Sequence, residues 1–402
     1  MNILLCAYAC NPDKFSEHHV GWSVLTRLSQ LAPDHFFYVV TRLKNKPAIE
    51  EQAAFKNVEF IYFDLPLWVQ RLKSRFGLVR LYYYFWSIFG GWFLLRYFAS
   101  SKKRLDVIHH LTFVCDWLPS IGWMMAKQCD FIFGPVGTND YSAIEGQSKW
   151  LLLVDESKVA MRRWDVFTRL TIARSKFIYV NNETSLRFFQ KSQADCELFP
   201  AIGTSVSTEA PVRTERGTAG FRICFVGRLI EIKRLFIFLR VFEELCTRHD
   251  DVEGVIIGDG PDRARLEQFL SSSPFAGRIV WEKSLSHSEC LEQIAMSDIL
   301  LFTSFEAAGL PLIEAAAAGV CTLSSNVGLF SSVFGRHDFA LFEEQGASEM
   351  TRQICAKVDI LYWDRAYLNE LGNRNKDLSK KFDWEQKAEE YLNRYRLIGR
   401  EC

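Results

Sequence analysis

Short apolar runs recur along this 402-residue chain and alternate with longer segments of helical period. Ile3–Ala7, Phe36–Thr41, Val58–Tyr62, Val107–His110, Phe131–Phe133 and Phe177–Val180 read as buried strands. A second series begins at Phe221–Gly227 and continues through Val255–Gly258, Ile279–Trp281 and Ile299–Phe302. Between the two series, the polar stretch from Thr204 to Gly220, with Pro211 and Gly217, reads as a linker. Strands alternating with helices predict α/β layering with parallel sheets. The architecture that fits is two doubly wound, Rossmann-like domains, residues 1–205 and 206–381, facing each other across a cleft. Residues from about 382 to 402 read as an amphipathic terminal helix containing Tyr391 and Tyr395.

Charge alters this picture locally. The 48 basic and 48 acidic residues balance, which gives no whole-protein field for nucleic acid. Residues 1–205 nevertheless carry 24 Lys/Arg against 18 Asp/Glu, and residues 206–402 carry 24 against 30. The basic excess of the first half points to an anionic partner there. Leu65 to Leu105 contains no Asp or Glu but has Arg71, Lys73, Arg75, Arg80, Arg96, Lys102, Lys103 and Arg104. Its uncharged aromatic core, Leu81 to Leu95, is shorter than the ~20 residues of a bilayer-spanning helix and is interrupted at Gly90-Gly91. Two readings remain: a buried helix of the first domain, or an interfacial surface for anionic lipid or a lipid-linked acceptor.

Eleven cysteines form no Cys-x-x-Cys pair, and several lie in apolar runs, which suits buried thiols in a reducing compartment. The N-terminus reads as a first strand rather than a signal peptide. A cytoplasmic protein, at most peripheral at the inner face of the membrane, is expected.

The chemistry concentrates after the run Asp298–Phe302. Gly309 and Pro311 mark a turn into a helix that Gly319 is placed to stop. Glu306 falls on the loop at the strand's carboxyl end, and Glu314 in the helix's first turn, tilted back toward that loop. Between them, the N–H groups around Ala308, Gly309 and Leu310 form a phosphate site. Two acids for hydroxyls and a helix end for phosphate describe a nucleotide-sugar site. Taken alone, the pair also fits an acidic loop followed by a helix-start Glu favoured by the dipole.

With Gly309-Leu310-Pro311 between them, Glu306 and Glu314 resemble the Glu-x7-Glu signature of the retaining glycosyltransferases of family 4. These group 1 glycosyltransferases have the two-domain GT-B fold. The resemblance implies that Glu306 contacts the donor sugar's hydroxyls and Glu314 the ribose. Gly227-Arg228-Leu229 and Lys233 resemble the family's Gly-Arg-Leu and Lys, implying Arg228 and Lys233 on the donor diphosphate. Fixed cations there stabilise the charge that grows as the sugar leaves. Gly258-Asp259-Gly260-Pro261 matches the family's turn near the nucleotide. It is not a dinucleotide fingerprint, since Arg263 stands where a third glycine is needed.

In the first domain the loop Cys10–Trp22 precedes a helix expected from near Val20 or Gly21. Gly21-Trp22 matches a subgroup pattern near the donor phosphates, while His18-His19 replace its Pro-Gly. Asp106–Thr112 resembles the family's Asp-x-x-His-x-His. His109 takes the first histidine position, Leu111 occupies the second, and His110 is the alternative bearer of that role. Gly134-Pro135-Val136-Gly137 also resembles the subgroup, with Thr138-Asn139 where a glycine is usual. The terminal helix resembles one that crosses back onto the first domain.

The resemblance therefore implies a metal-independent, retaining transfer from a UDP- or GDP-sugar co-substrate, with no other cofactor. Donor binding would fall to the second domain and acceptor binding to the first. The acceptor would be a saccharide or lipid-linked saccharide, in surface polysaccharide biosynthesis. The alternatives are a non-catalytic glycan-binding relative and a nucleotide-sugar 2-epimerase of the same fold.

Overall fold

A computed structural model describes residues 1–402 except 15–16, 53, 138–148, 191–193, 205–219, 306–308, 326–339, 343–345 and 400–402. The expected linker and Thr138-Asn139 thus lie largely or wholly outside the described residues. The chain forms two units, one of Met1–Thr138, Leu153–Ala201 and Trp384–Cys402, the other of Asn139–Leu152 and Ile202–Asp383.

The first unit is built on β1 (Asn2–Ala7), β2 (Phe36–Thr41), β3 (Val58–Tyr62), β4 (Val107–Thr112), β5 (Asp130–Val136), β6 (Phe177–Val180) and β7 (Asp195–Leu198). Their order is β3-β2-β1-β4-β5-β6-β7, all parallel. The connecting helices are α1 (Glu17–Leu31), α2 (Lys46–Gln52), α3 (Leu67–Phe76), α4 (Val79–Ser101), α5 (Lys149–Trp164), α6 (Val166–Ala173) and α7 (Glu183–Phe189). Successive side chains of a strand face opposite ways, and here both faces are covered. Ile3, Leu5, Phe37 and Val39 pack with α1 residues Val24 and Leu28. Leu4, Cys6, Tyr38 and Val40 pack with α4 residues Tyr83 and Trp86. This double burial makes the strands read as continuous apolar runs.

The second unit repeats the plan with β8 (Phe221–Val226), α8 (Leu235–Cys246), β9 (Val252–Ile257), α9 (Arg263–Ser272), β10 (Ile279–Glu282), α10 (His287–Ala295), β11 (Ile299–Phe302), α11 (Leu310–Ala317), β12 (Cys321–Ser325), β13 (Ala340–Phe342), α12 (Ala347–Trp363) and α13 (Arg365–Ser379). Its parallel order is β10-β9-β8-β11-β12-β13. In each sheet the order reverses beside the first strand, between β1 and β4 and between β8 and β11. At such a switch point, open α/β sheets bind ligands at the strands' carboxyl ends.

A last helix, α14 (Trp384–Ile398), belongs to the first unit. Trp384, Ala388, Tyr391, Leu392, Tyr395 and Ile398 form one buried stripe against the β1 face that carries Ile3 and Leu5.

Several expectations shift. Helix α1 begins at Glu17 rather than near Val20 or Gly21. The aromatic run of 81–95 lies in α4, a 23-residue helix that buries Tyr82, Tyr83, Trp86, Gly90, Gly91 and Leu94 but exposes another face. Among the described residues no helix is long and apolar enough to cross a membrane.

Candidate functional site

The carboxyl ends of β8, β9 and β11 carry three loops that lock together. The β8 loop begins at Gly227, whose N–H donates to Ile257 O at 2.9 Å. Gly258, after β9, runs directly against it: a Cβ added at Gly258 would stand 2.1 Å from Gly227 O. Gly227 and Gly258 have φ of +152° and +135°, so a side chain at either position would also strain the backbone. Leu229 N–H donates to Asp259 O at 3.1 Å, and Asp262 N–H returns a bond to Leu229 O at 2.9 Å. Gly260 closes on the same residue, where a Cβ would stand 2.4 Å from Leu229 O. Trp281 Nε1–H donates to Gly258 O at 2.9 Å and braces the turn from β10. The approach of one backbone to another thus accounts for Gly258 and Gly260, and the positive φ for Gly227.

On the opposite side the β8 loop is tied to the end of β11. Thr303 Oγ1 donates to Lys233 O at 2.8 Å, and Phe305 N–H donates to Ile232 O at 2.9 Å. These bonds fix the backbone of Lys233, whose ammonium lies 5.3 Å from the centroid of the Phe302 ring. The same ring packs beneath Gly309, where a Cβ would stand 2.3 Å from a ring carbon. Lys233 and the N-terminus of α11 therefore share one aromatic floor. Gly309 is the residue before the helix and supplies no side-chain cap to it. A helix start that Gly309 leaves without a side-chain cap, beside an ammonium group, suits a phosphate.

Leu310 is the first helical residue and Pro311 the second. Glu314 consequently lies beyond the first turn, which contains no acid. Its carboxylate is 7 % exposed and accepts a 2.7 Å hydrogen bond from His287 Nε2. His287 opens α10, which Ser286 and Glu289 cap reciprocally. Burial, with the Glu314 charge as the lesser cause, pushes the nearby Cys290 thiol up to about 12. Arg228 is exposed on the β8 loop. Its neighbour Arg234 is buried, its guanidinium 5.2 Å from the Phe305 ring centroid. Glu306 and Ala308 lie outside the described residues, between Phe305 and Gly309.

Arg228, Lys233, Gly227, Gly258, Gly260, Gly309, Leu310 and Glu314 thus all belong to the loops and helix at one switch point. His287, Phe302 and Thr303 join them, though sequence reading did not single them out. A histidine 27 positions before Glu314 carries no local signal, because only the sheet order places α10 beside α11. Thr303 was legible in principle as a polar residue directly after a buried strand.

The first-unit assignments require correction. His109 and His110 are buried at 0 % and 1 % exposure, which removes both from contact with substrate. Gly134 O at 2.8 Å can only accept, so His109 Nε2 carries the proton and Nδ1 receives Tyr395 O–H at 2.6 Å. Burial lowers His109 to about 4 and, with repulsion from His109 as the lesser cause, lowers His110 to about 3. His110 Nε2 meets Thr112 O at 3.1 Å and Tyr83 Oη at 3.0 Å. Both are neutral core histidines. Gly21 is corrected too: it is buried inside α1, and a Cβ there would stand 2.3 Å from Ala9 O. Close packing of the helix on the β1 loop requires the glycine.

Two all-parallel α/β units, with this loop cluster in the second, define a GT-B protein. Residues 208–376 match the family described as glycosyl transferases group 1. Over 178 residues the chain is 25% identical to the phosphatidylinositol N-acetylglucosaminyltransferase GPI3 subunit of Saccharomyces cerevisiae, a match spanning 44% of this chain and 39% of that protein. It is 24% identical over 262 residues to the 2-deoxystreptamine N-acetyl-D-glucosaminyltransferase of Niallia circulans, spanning 65% of this chain and 61% of that protein. The pneumococcal O-GlcNAc transferase GtfA, solved with UDP and GlcNAc, shares the fold with a TM-score of 0.65 and 10% identity, over 99% of both chains.

Proposed function

We propose that this chain is a retaining glycosyltransferase of family 4 that uses a nucleotide-sugar donor, with UDP-N-acetylglucosamine the foremost candidate. The observation that carries the reading is the meeting of Lys233 and the start of α11 over the Phe302 ring. In this reading the donor diphosphate lies at the α11 N-terminus, with Lys233 and Arg228 as its cations. As the bond between the anomeric carbon and the phosphate oxygen breaks, both electrons pass to the diphosphate. Cations held in place before the reaction stabilise that charge without reorganising. The acceptor hydroxyl attacks from the face the diphosphate leaves and gives its proton to the departing phosphate oxygen, so the configuration is retained. Glu314, held by His287, receives a ribose hydroxyl, and Glu306 receives hydroxyls of the transferred sugar. The names of the two relatives and the ligands of GtfA support the choice of donor.

The first unit supplies the acceptor site in this proposal, for a saccharide or lipid-linked saccharide in surface polysaccharide synthesis on the cytoplasmic side of the membrane. Thermal stabilisation by UDP-N-acetylglucosamine, UDP-glucose and GDP-mannose tests the donor. A ligand at 100 times its dissociation constant adds ~2.7 kcal/mol. Product analysis by NMR tests the rest: an anomeric configuration matching the donor's is expected, in EDTA as without it. An inverted product, or activity abolished by EDTA, would refute the reading. UDP-ManNAc formed without acceptor would instead indicate a 2-epimerase.

A further inference from the structure

Helix α3 has no buried residue, although it is ten residues long and well formed. Trp68, Leu72 and Phe76 fall on one stripe at four-residue spacing, and they are 66%, 43% and 61% exposed. Arg71 and Arg75 flank this stripe on one side and Lys73 on the other, the pattern of a helix lying in a membrane interface. On α4 a second stripe, Leu81, Phe85, Phe89 and Trp92, is 41% to 52% exposed. Trp68 and Leu72 of the first stripe and all four residues of the second line a common groove of about 770 Å³, apolar almost throughout. Patches of this extent are rarely left on a surface that meets only water.

Charge identifies the occupant. Residues 65–105 contain eight Lys/Arg and no Asp or Glu. Asp64, the one carboxylate in the groove lining, is paired with Arg42 at 2.8 Å and buried. The Arg96 guanidinium lies 3.6 Å from the Trp92 ring centroid, at the groove's rim. A second copy of this face would bring like charges together. An anionic surface with a hydrocarbon interior satisfies both the cations and the apolar stripes.

We propose that the α3–α4 face docks on an anionic bilayer leaflet and that the groove takes one hydrocarbon chain of a leaflet lipid. Trp68 and Trp92 sit at the boundary between headgroups and chains, and Arg71, Arg75 and Arg96 meet the phosphates. This goes beyond the transfer reaction and does not depend on it.

The full chain is sedimented with vesicles of phosphatidylcholine alone and of phosphatidylcholine mixed with phosphatidylglycerol, at low and high salt. Binding to the anionic vesicles alone, weakened by salt, is expected. Each exposed cation contributes about 5-fold, so Arg71→Gln/Arg75→Gln/Arg96→Gln lowers partitioning about 100-fold. Phe89→Ser/Trp92→Ser lowers it at least about 10-fold through lost apolar contact. Vesicles with brominated chains quench the wild type more than Trp68→Phe, since that indole reaches the chains. Equal binding to both vesicle types, no binding, unchanged binding by either variant, or a dimer that the apolar variant breaks would each overturn the proposal. Stabilisation by UDP-N-acetylglucosamine, measured alongside, reports on the second unit. Resistance of residues 1–137 to limited proteolysis shows that the variants are folded, and absence of that stabilisation from the wild type counts against the donor reading alone.

Discussion

The backbone of Lys233 is fixed by Thr303 and by the Ile232–Phe305 bond, both just beyond the end of β11. Replacing the side chain should therefore leave the loop in place and remove only the ammonium. Lys233→Ala is expected to lower kcat about 100- to 1000-fold, the size of effect seen when one stabilising donor is removed from a transition state. The melting temperature should hardly change, and unimpaired turnover would exclude Lys233 from the diphosphate. Glu314 presents the opposite case. Its carboxylate is buried, and His287→Leu deletes a hydrogen-bond donor to it, leaving a cost of about 1–3 kcal/mol in stability. Donor affinity should fall as well, because the freed carboxylate loses its fixed position. His287→Gln, which keeps a donor, should recover part of both. A Leu variant as stable as the parent would show that His287 does not hold Glu314.

Helix α14 is joined to β4 through the Tyr395–His109 bond, and this link makes the packing of the element sensitive to pH. His109 and His110 are neutral in the fold at about 4 and about 3, whereas unfolded histidines titrate near 6.5. Both pKa values are lowered by folding, so the unfolded state binds more protons between the two limits. Stability is thus complete above about 6.5 and falls as the pH drops, by up to ~1.4 kcal/mol per pH unit for each histidine. Urea midpoints between pH 6.5 and 5 should decline steeply, and less so in His109→Gln. Identical slopes for the two proteins would mean that His109 is not held neutral. These histidines also show where reading the sequence stopped. A polar residue at the end of an apolar run looks the same whether it faces a ligand or a tyrosine 286 positions away. Strands β2 and β6 were legible to the residue because both their faces are buried. Strand β7, Asp-Cys-Glu-Leu, is half-exposed at the sheet edge, so its polar positions hid it. Strand β12, Cys-Thr-Leu-Ser-Ser, is fully buried, yet its hydroxyls bond Asn375 and the Ser304 carbonyl instead of water.

At the scale of the whole molecule, order along the chain and order in space diverge at the C-terminus. The loops of the second unit's candidate site were readable because their glycines, cations and acids follow one another within strand–loop–helix units. The boundary of the first unit is different, since its last nineteen residues come after the entire second unit. Six side chains of α14, from Trp384 to Ile398, are buried in the first unit's core. At about 1.5–3 kcal/mol for each large apolar group, their burial is worth on the order of 10 kcal/mol, comparable with the net stability of a domain. A chain ending at Asp383 therefore loses no residue of the second unit but should lose the first as a folded body. Limited proteolysis is expected to clip the shortened chain within residues 1–201 and to spare 221–383. Stabilisation by UDP-N-acetylglucosamine should persist in the surviving fragment if the donor is held by the second unit's own loops. Protease resistance of residues 1–201 in the shortened chain would mean that α14 is an accessory to that core and not one of its walls.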